Sequence, residues 1–216
     1  MTHLRSCWSC GATVALEPFC PGCRAIQPPD PGADYFALLE VPRSFQVERS
    51  RAEQIYREKQ QQLHPDRFAL RSAQERRYSL EQVTQLNDAW RTLRDPLQRG
   101  EYLLQTLGGS PSPDPAKRGD NMAGDPEFLM EVMEMREELA TIDPASDPGG
   151  QRLAKLRLDV EQRIKAEITT LDAVFATALA AAPAPSAWAT AGQHLNRLRY
   201  HLRFMEEVDR LEEQAI

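Results

Sequence analysis

Apolar residues recur along this chain at helical spacing. In residues 74–94, Tyr78, Leu80, Val83, Leu86, Ala89, Trp90 and Leu93 recur near helical spacing. A preceding helix is predicted over 48–63, and a short apolar turn at Asp34-Tyr35-Phe36-Ala37-Leu38-Leu39. Asp95-Pro96 ends the long helix, because proline disfavours helical geometry at the residue before it, and a further helix follows over 97–107. Three more are predicted in the second half, over 125–142, 151–181 and 187–213. Leu153, Leu156, Val160, Ile164, Ile168, Leu171 and Phe175 stripe the second of these; Leu195, Leu198, Leu202, Met205 and Val208 stripe the third. Both stripes read as core. Proline- and glycine-rich breaks at 27–32, 108–115, 143–150 and 182–185 punctuate the pattern. The reading is all-α in three segments: 1–28, a helical hairpin at 34–108, and a three-helix bundle at 120–216.

The segment 125–142 carries more apolar surface than burial requires. At about 100° per residue, Phe128, Val132, Met135, Leu139 and Ile142 fill one stripe about 80° wide. Leu129, Met130 and Met133 lie on another face, with Glu134 and Glu137. Exposed apolar patches mark binding surfaces, and methionine makes them adaptable. The bland alternative is that this second stripe packs on the hairpin or on another helix of the bundle.

All four cysteines fall in the first 23 residues, as Cys7-Trp8-Ser9-Cys10 and Cys20-Pro21-Gly22-Cys23. Each C-x-x-C turn aims two sulfurs at one point, so two turns complete a tetrahedron around Zn²⁺. Two disulfides and a rubredoxin-like iron site are the other readings of this spacing. Disulfides are rare in reducing compartments, and the N-terminus has no apolar signal-peptide core. Four thiolates leave no open metal position, so the expected site is structural. A segment of this size buries too little to fold alone, and the metal would supply most of the folding energy. The spacing is equally compatible with bracing the hairpin, with homodimerisation and with redox sensing.

Charge narrows the partners. The chain carries a formal net charge of −6. Residues 34–108 are near neutral, whereas 120–216 hold 10 Lys/Arg against 18 Asp/Glu. Nucleic acid is not expected, since phosphates need basic faces. No apolar run approaches the roughly 20 residues that span a bilayer. His194 and His201 share a face of the last helix and read as surface or core-edge residues rather than metal ligands.

Between the two long helices of 34–108 the loop reads Leu63-His64-Pro65-Asp66-Arg67-Phe68. Proline fixes φ here, so histidine and aspartate stand at a rigid tip. Asp66 is also a good helix N-cap residue. Placed between long helices, His64-Pro65-Asp66 resembles the J domain. Asp34-Tyr35-Phe36, Trp90-Arg91-Thr92-Leu93-Arg94-Asp95-Pro96 and Arg99-Gly100-Glu101-Tyr102-Leu103-Leu104 are similar to the HscB/Jac type, the J-domain co-chaperones of iron–sulfur cluster assembly. So are Phe128-Leu129-Met130-Glu131, Arg136-Glu137-Glu138-Leu139 and Leu202-Arg203-Phe204-Met205. The cysteine ribbon matches an N-terminal extension found in some members.

The resemblance implies an L-shaped pair of helical domains and no covalent chemistry by the chain itself. It implies that His64, Pro65 and Asp66, with the cations Arg57, Lys59 and Arg67, contact a DnaK/HscA-type chaperone and trigger its ATPase. Glu53 and Glu58 dilute that positive charge, and a merely solvated face is the alternative. It further implies that Leu129, Met130, Met133, Glu134, Glu137 and Phe204 bind an IscU-type scaffold protein. One acidic family position falls at Thr141 here. A general J-domain co-chaperone with other clients is the rival. The expected setting is the bacterial cytoplasm, or the mitochondrion for a matured eukaryotic chain.

Overall fold

The computed structural model describes residues 4–15, 17–108, 125–143, 150–180 and 185–214. The proline-rich stretches expected at 109–115, 144–149 and 182–184 lie outside them. The chain packs as two units, Met1–Arg99 and Gly100–Ile216.

The first unit starts with a small ribbon. Strands β1 (Arg5–Ser6) and β2 (Thr13–Val14) pair antiparallel, with Arg5 opposite Val14. Helix α1 (Tyr35–Leu38) is capped by Asp34, whose carboxylate accepts from the Phe36 N–H and pairs with Arg43 at 2.7 Å. Helix α2 (Arg49–Leu63) leads through a 3-10 turn at Pro65–Phe68 into α3 (Ala73–Arg94). A full capping box starts α3: the Ser72 hydroxyl accepts from the Glu75 N–H, and the Glu75 carboxylate accepts from the Ser72 N–H. Helices α1 and α2 both pack on α3. Phe36, Leu39, Phe45, Ala52, Leu86 and Leu93 are buried there. Tyr56 stacks on Trp90 with ring centroids 5.4 Å apart. The buried Ser79 hydroxyl donates to the Leu63 carbonyl at 2.6 Å, occupying an acceptor that the end of α2 would otherwise leave open.

Helix α4 (Pro96–Thr106) begins at its proline, because the first turn needs no N–H donor. The division between the units falls inside α4, which the sequence pattern placed wholly with 34–108.

In the second unit, α5 (Pro126–Ala140), α6 (Gln151–Ala180) and α7 (Pro185–Gln214) share one apolar core. Met135 and Ile142 come from α5 and the residues just after it, Leu153, Leu156 and Val160 from α6, and Phe204 and Val208 from α7. Ionic contacts brace the rim. Arg197 pairs with Asp125 at 2.5 Å, and Arg157 with Glu212 at 2.8 Å. The Arg197 hydrogen bond and the Phe128 N–H hold the Asp125 carboxyl below its usual range, against the opposing effect of burial. Glu101 of α4 pairs with Arg199 of α7.

The stretch 27–32, a linker or tight turn by composition, holds the ribbon to α3. Gln27 is fully buried. Its carbonyl accepts from Gln82 Nε2 at 3.0 Å, and the Asp30 carbonyl accepts from Gln85 Nε2. Trp8 Nε1 donates to the Ile26 carbonyl at 2.7 Å, and its ring meets Tyr78 edge-on at 5.9 Å. Proline supplies no N–H in this stretch, and glutamine side chains from the helix make the contacts.

Candidate functional site

The two C-x-x-C turns are built alike. In the first, Cys7 N–H donates to Ala12 O at 2.7 Å and Gly11 N–H to Cys7 O at 2.9 Å. In the second, Cys20 N–H donates to Ala25 O and Arg24 N–H to Cys20 O, both at 2.9 Å. Each turn therefore presents its sulfurs on one side. Cys7 Sγ lies 3.7 Å from Cys23 Sγ, and Cys10 Sγ lies 3.7 Å from Cys20 Sγ. All four sulfurs fall within 4.8 Å of one another. Metal–sulfur bonds of about 2.3 Å in a tetrahedron put sulfurs about 3.8 Å apart, so the group fits a tetrathiolate ion. A disulfide would need about 2.05 Å, and all four cysteines are free.

The electrostatics point the same way. Burial opposes charge on Cys7, but the N–H groups of Cys10 and Ser9 and the thiols of Cys20 and Cys23 bring its pKa down to about 6. The Ala12 N–H favours the Cys10 thiolate, yet Cys23, burial and the remaining thiols push that pKa up to about 12. Four sulfurs this close cannot all be thiolates without a cation among them. Gln27 Nε2 also donates to Cys7 Sγ at 3.3 Å.

At the tip of the α2–α3 hairpin, His64 caps the 3-10 turn. Its Nδ1 accepts from the Asp66 N–H at 3.3 Å, which leaves Nε2 as the protonated nitrogen of the neutral ring. Ser72, not Asp66, caps α3. The Asp66 side chain is therefore unused by the helix and is 91% exposed. His64, Arg57 and Arg67 are also exposed, and Arg57 pairs with Glu53. Lys59 is occupied: its ammonium donates to the Leu38 carbonyl at 2.7 Å and pairs with Glu40 at 2.9 Å. That contact, first through its hydrogen bond, holds the Glu40 carboxyl below its usual range.

On α5, Phe128, Val132 and Met135 are buried, and Leu139 packs against the same core. On the opposite side Leu129, Met130 and Met133 are 36%, 65% and 54% exposed. Glu134 and Glu137 are exposed beside them. The second stripe is a surface, and none of it enters the three-helix core. Phe204 differs from its expected place on that surface. It is 1% exposed and stacks on Tyr200, because its position on α7 faces α5 and α6. His194 Nδ1 lies within hydrogen-bonding distance of the Glu167 carboxylate, at 2.7 Å, and His201 is buried against Phe128.

The periodicity gave no warning of three features. Leu70, two residues beyond the 3-10 turn, is fully exposed. Gln27 and Gln82 tie the ribbon to α3, a pairing that no spacing rule reveals. Arg24 lies in the left-handed region at φ 64°; its alignment with Gly11 in the first turn was the available signal.

Among the described residues, no helix is long and apolar enough to cross a membrane. A profile of the HSCB C-terminal oligomerisation domain matches residues 124–209. The mouse iron–sulfur cluster co-chaperone protein HscB is 43% identical over 138 residues, 62% of this chain. That match spans only 57% of the mouse protein's length. The co-chaperone protein HscB homolog of Vibrio cholerae serotype O1 is 32% identical over 183 residues, which is 85% of this chain and 99% of the relative. The crystal structure of human co-chaperone protein HscB superposes with a TM-score of 0.82 at 32% identity, covering 95% of this chain and 97% of the human one. An alignment over nearly the whole Vibrio relative, joined to the same fold, places this chain in the HscB family of co-chaperones.

Proposed function

We propose that this protein works in iron–sulfur cluster assembly by holding an IscU-type scaffold on α5 while its hairpin tip engages a DnaK/HscA-type chaperone and stimulates the chaperone's ATPase. The observation that carries this reading is the second apolar stripe of α5. Leu129, Met130 and Met133 stand in solvent on a helix whose opposite face is already buried. Acid-rimmed methionine surface of this kind suits a folded partner that must be bound and released. Glu134 and Glu137 add charge at its edge. Phe204 supports the stripe from the core rather than touching the partner.

His64, Pro65 and Asp66 supply the other contact, with Arg57 and Arg67 steering association. Lys59 serves the fold, since its ammonium is held between the Glu40 carboxylate and the Leu38 carbonyl. Binding both partners on one chain raises the effective concentration of each for the other. The chain itself makes and breaks no covalent bond in this scheme.

We assign zinc to Cys7, Cys10, Cys20 and Cys23, because four thiolates in a closed tetrahedron are its usual structural donor set. Elemental analysis and a visible spectrum test this. A colourless protein with one zinc supports it; thiolate-to-iron absorption rejects it. The proposed setting is the bacterial cytoplasm, or the mitochondrion for a matured eukaryotic chain.

The testing experiment is the chaperone's steady-state ATPase with this protein, with and without scaffold. Synergistic stimulation should be lost in His64→Gln and, separately, in the triple variant Leu129→Ala/Met130→Ala/Met133→Ala. Stimulation indifferent to scaffold and to the triple variant would leave a general J-domain co-chaperone with other clients. No stimulation at all would defeat the reading of the hairpin tip.

A further inference from the structure

A cleft of about 640 Å³ lies between the second cysteine turn and the start of α3, beside the 3-10 turn. Arg24, Arg67 and Arg71 line it, with Trp8 and Phe19 as apolar wall. The carboxylate on its lining, Glu75, accepts from the Ser72 N–H and hydroxyl. No carboxylate of the described residues comes within ion-pairing distance of the three arginines. Elsewhere in this unit Arg43, Arg57, Arg77 and Arg91 have acidic partners, whereas Arg49 and Arg94 have none among the described residues, so the cleft is set apart by gathering three such groups in one place. An acidic protein thus keeps three unpaired guanidinium groups on one cleft.

The backbone adds a second argument. Among the described residues, two non-glycine positions have positive φ, Arg24 at 64° and Glu40 at 52°. Such a backbone costs on the order of 1 kcal/mol for a residue with a Cβ. At Glu40 the gain is visible: its carboxylate pairs with Lys59. At Arg24 the corresponding position of the first turn is Gly11, with φ 76°, and glycine would relieve the strain. The turn itself sets this backbone, since the Arg24 N–H closes on Cys20 O as the Gly11 N–H closes on Cys7 O, both at 2.9 Å. The turn calls for no side chain at this position, and the arginine carried there adds its guanidinium to the cleft.

We infer that the Arg24–Arg67–Arg71 cleft binds an acidic, extended segment of the partner chaperone, so that the metal ribbon forms one wall of the chaperone-binding surface. The inference rests on the proposal that the His64 turn meets that chaperone. Arg67 belongs to both surfaces, which makes them continuous. Each guanidinium takes a carboxylate with two parallel hydrogen bonds, and Trp8 covers the apolar stem of the bound segment.

Arg24→Gly tests this in the full-length, metal-loaded chain, because the substitution removes the guanidinium while easing the backbone. The chaperone's ATPase is titrated with wild type, Arg24→Gly and His64→Gln at low and high salt. The expected result is a half-maximal concentration raised about five- to tenfold at low salt, with unchanged maximal stimulation and convergence as salt screens the contact. Arg71→Ala should add a further shift. Superimposed wild-type and Arg24→Gly curves, with His64→Gln inactive, would overturn the cleft and leave the turn's role standing. Full stimulation by His64→Gln would overturn the turn's role and the cleft with it. Unmoved curves together with a weakened self-association of Arg24→Gly in sedimentation would give the cleft to a second copy of this chain, and would also overturn the inference.

Discussion

The hairpin tip and the outer face of α5 are both exposed, yet they are held in place by different physics. The tip is polar and owes its geometry to the backbone: proline's fixed φ, a histidine cap and an independent cap at Ser72. The α5 face is apolar and owes its position to the stripe on the far side of the same helix. The first suits a point contact made in one orientation. The second suits a partner whose fit is adjustable, since methionine repacks easily. Damage to the core beneath α5 should therefore act through folding, and damage to the face through binding alone.

Phe204→Ala gives the largest effect and sharpens that distinction. Emptying its site in the three-helix core should cost about 3–5 kcal/mol, read as a lower melting temperature and urea midpoint of the helical signal. Scaffold affinity measured well below that melting temperature should fall little. If affinity collapses while the fold survives, Phe204 is a contact residue and the core assignment fails.

The triple variant on α5 comes next and tests the converse. Scaffold affinity should drop about a hundredfold, equivalent to about 2.7 kcal/mol, with the melting temperature unchanged, by calorimetric titration and thermal unfolding of the same sample. A matching loss of stability would mean the stripe is covered in solution.

Acid separates the two regions further. Burial, and then Arg163 and Arg197, lower the His201 pKa from 6.5 to about 4. The folded value lies below the unfolded one, so between those limits the unfolded chain takes up a proton that the folded chain refuses. Stability from this group is complete above pH 6.5 and declines as pH falls through 4, by about 3 kcal/mol in all. His201→Phe should flatten that part of the urea-midpoint profile between pH 7 and 4.5. An unchanged slope would place the acid sensitivity elsewhere.

The smallest expected effect is at Lys59, in the last turns of α2. Lys59→Met loses the Glu40 pair and the Leu38 bond, at about 1 kcal/mol. The urea midpoint of the first unit should fall slightly while maximal chaperone stimulation holds. Lost stimulation with intact stability would return Lys59 to the chaperone surface.

Much of this architecture was legible because helical periodicity and C-x-x-C spacing are local. The stripe of Phe128, Val132 and Met135 and its outward counterpart could be separated by angle alone. Phe204 could not be placed, since an apolar residue on a helix looks the same whether it faces a core or a partner until the neighbouring helices are known. Lys59 reads as a free cation only while the left-handed turn at Glu40 is unseen. The 3-10 turn and the Ser72 box decide whether Asp66 is a cap, and both depend on the chain's actual path. The binding of Gln27 by Gln82 joins residues far apart in sequence and leaves no periodic trace.

That last contact makes the metal and the hairpin thermodynamically reciprocal. The same buried glutamine donates a hydrogen bond to a cysteine sulfur through its side chain and accepts one from Gln82 of α3 through its carbonyl. Whatever free energy α3 contributes to fixing Gln27 is free energy the ion need not supply to organise its ligands. The ion, once held, returns the same quantity as resistance of α3 to local opening. A chelator and a substitution at Gln82 are thus two ways of perturbing one equilibrium. Each should be detectable at the other's site: metal loss as faster hydrogen exchange in the middle of α3, and Gln82→Ala as easier metal release.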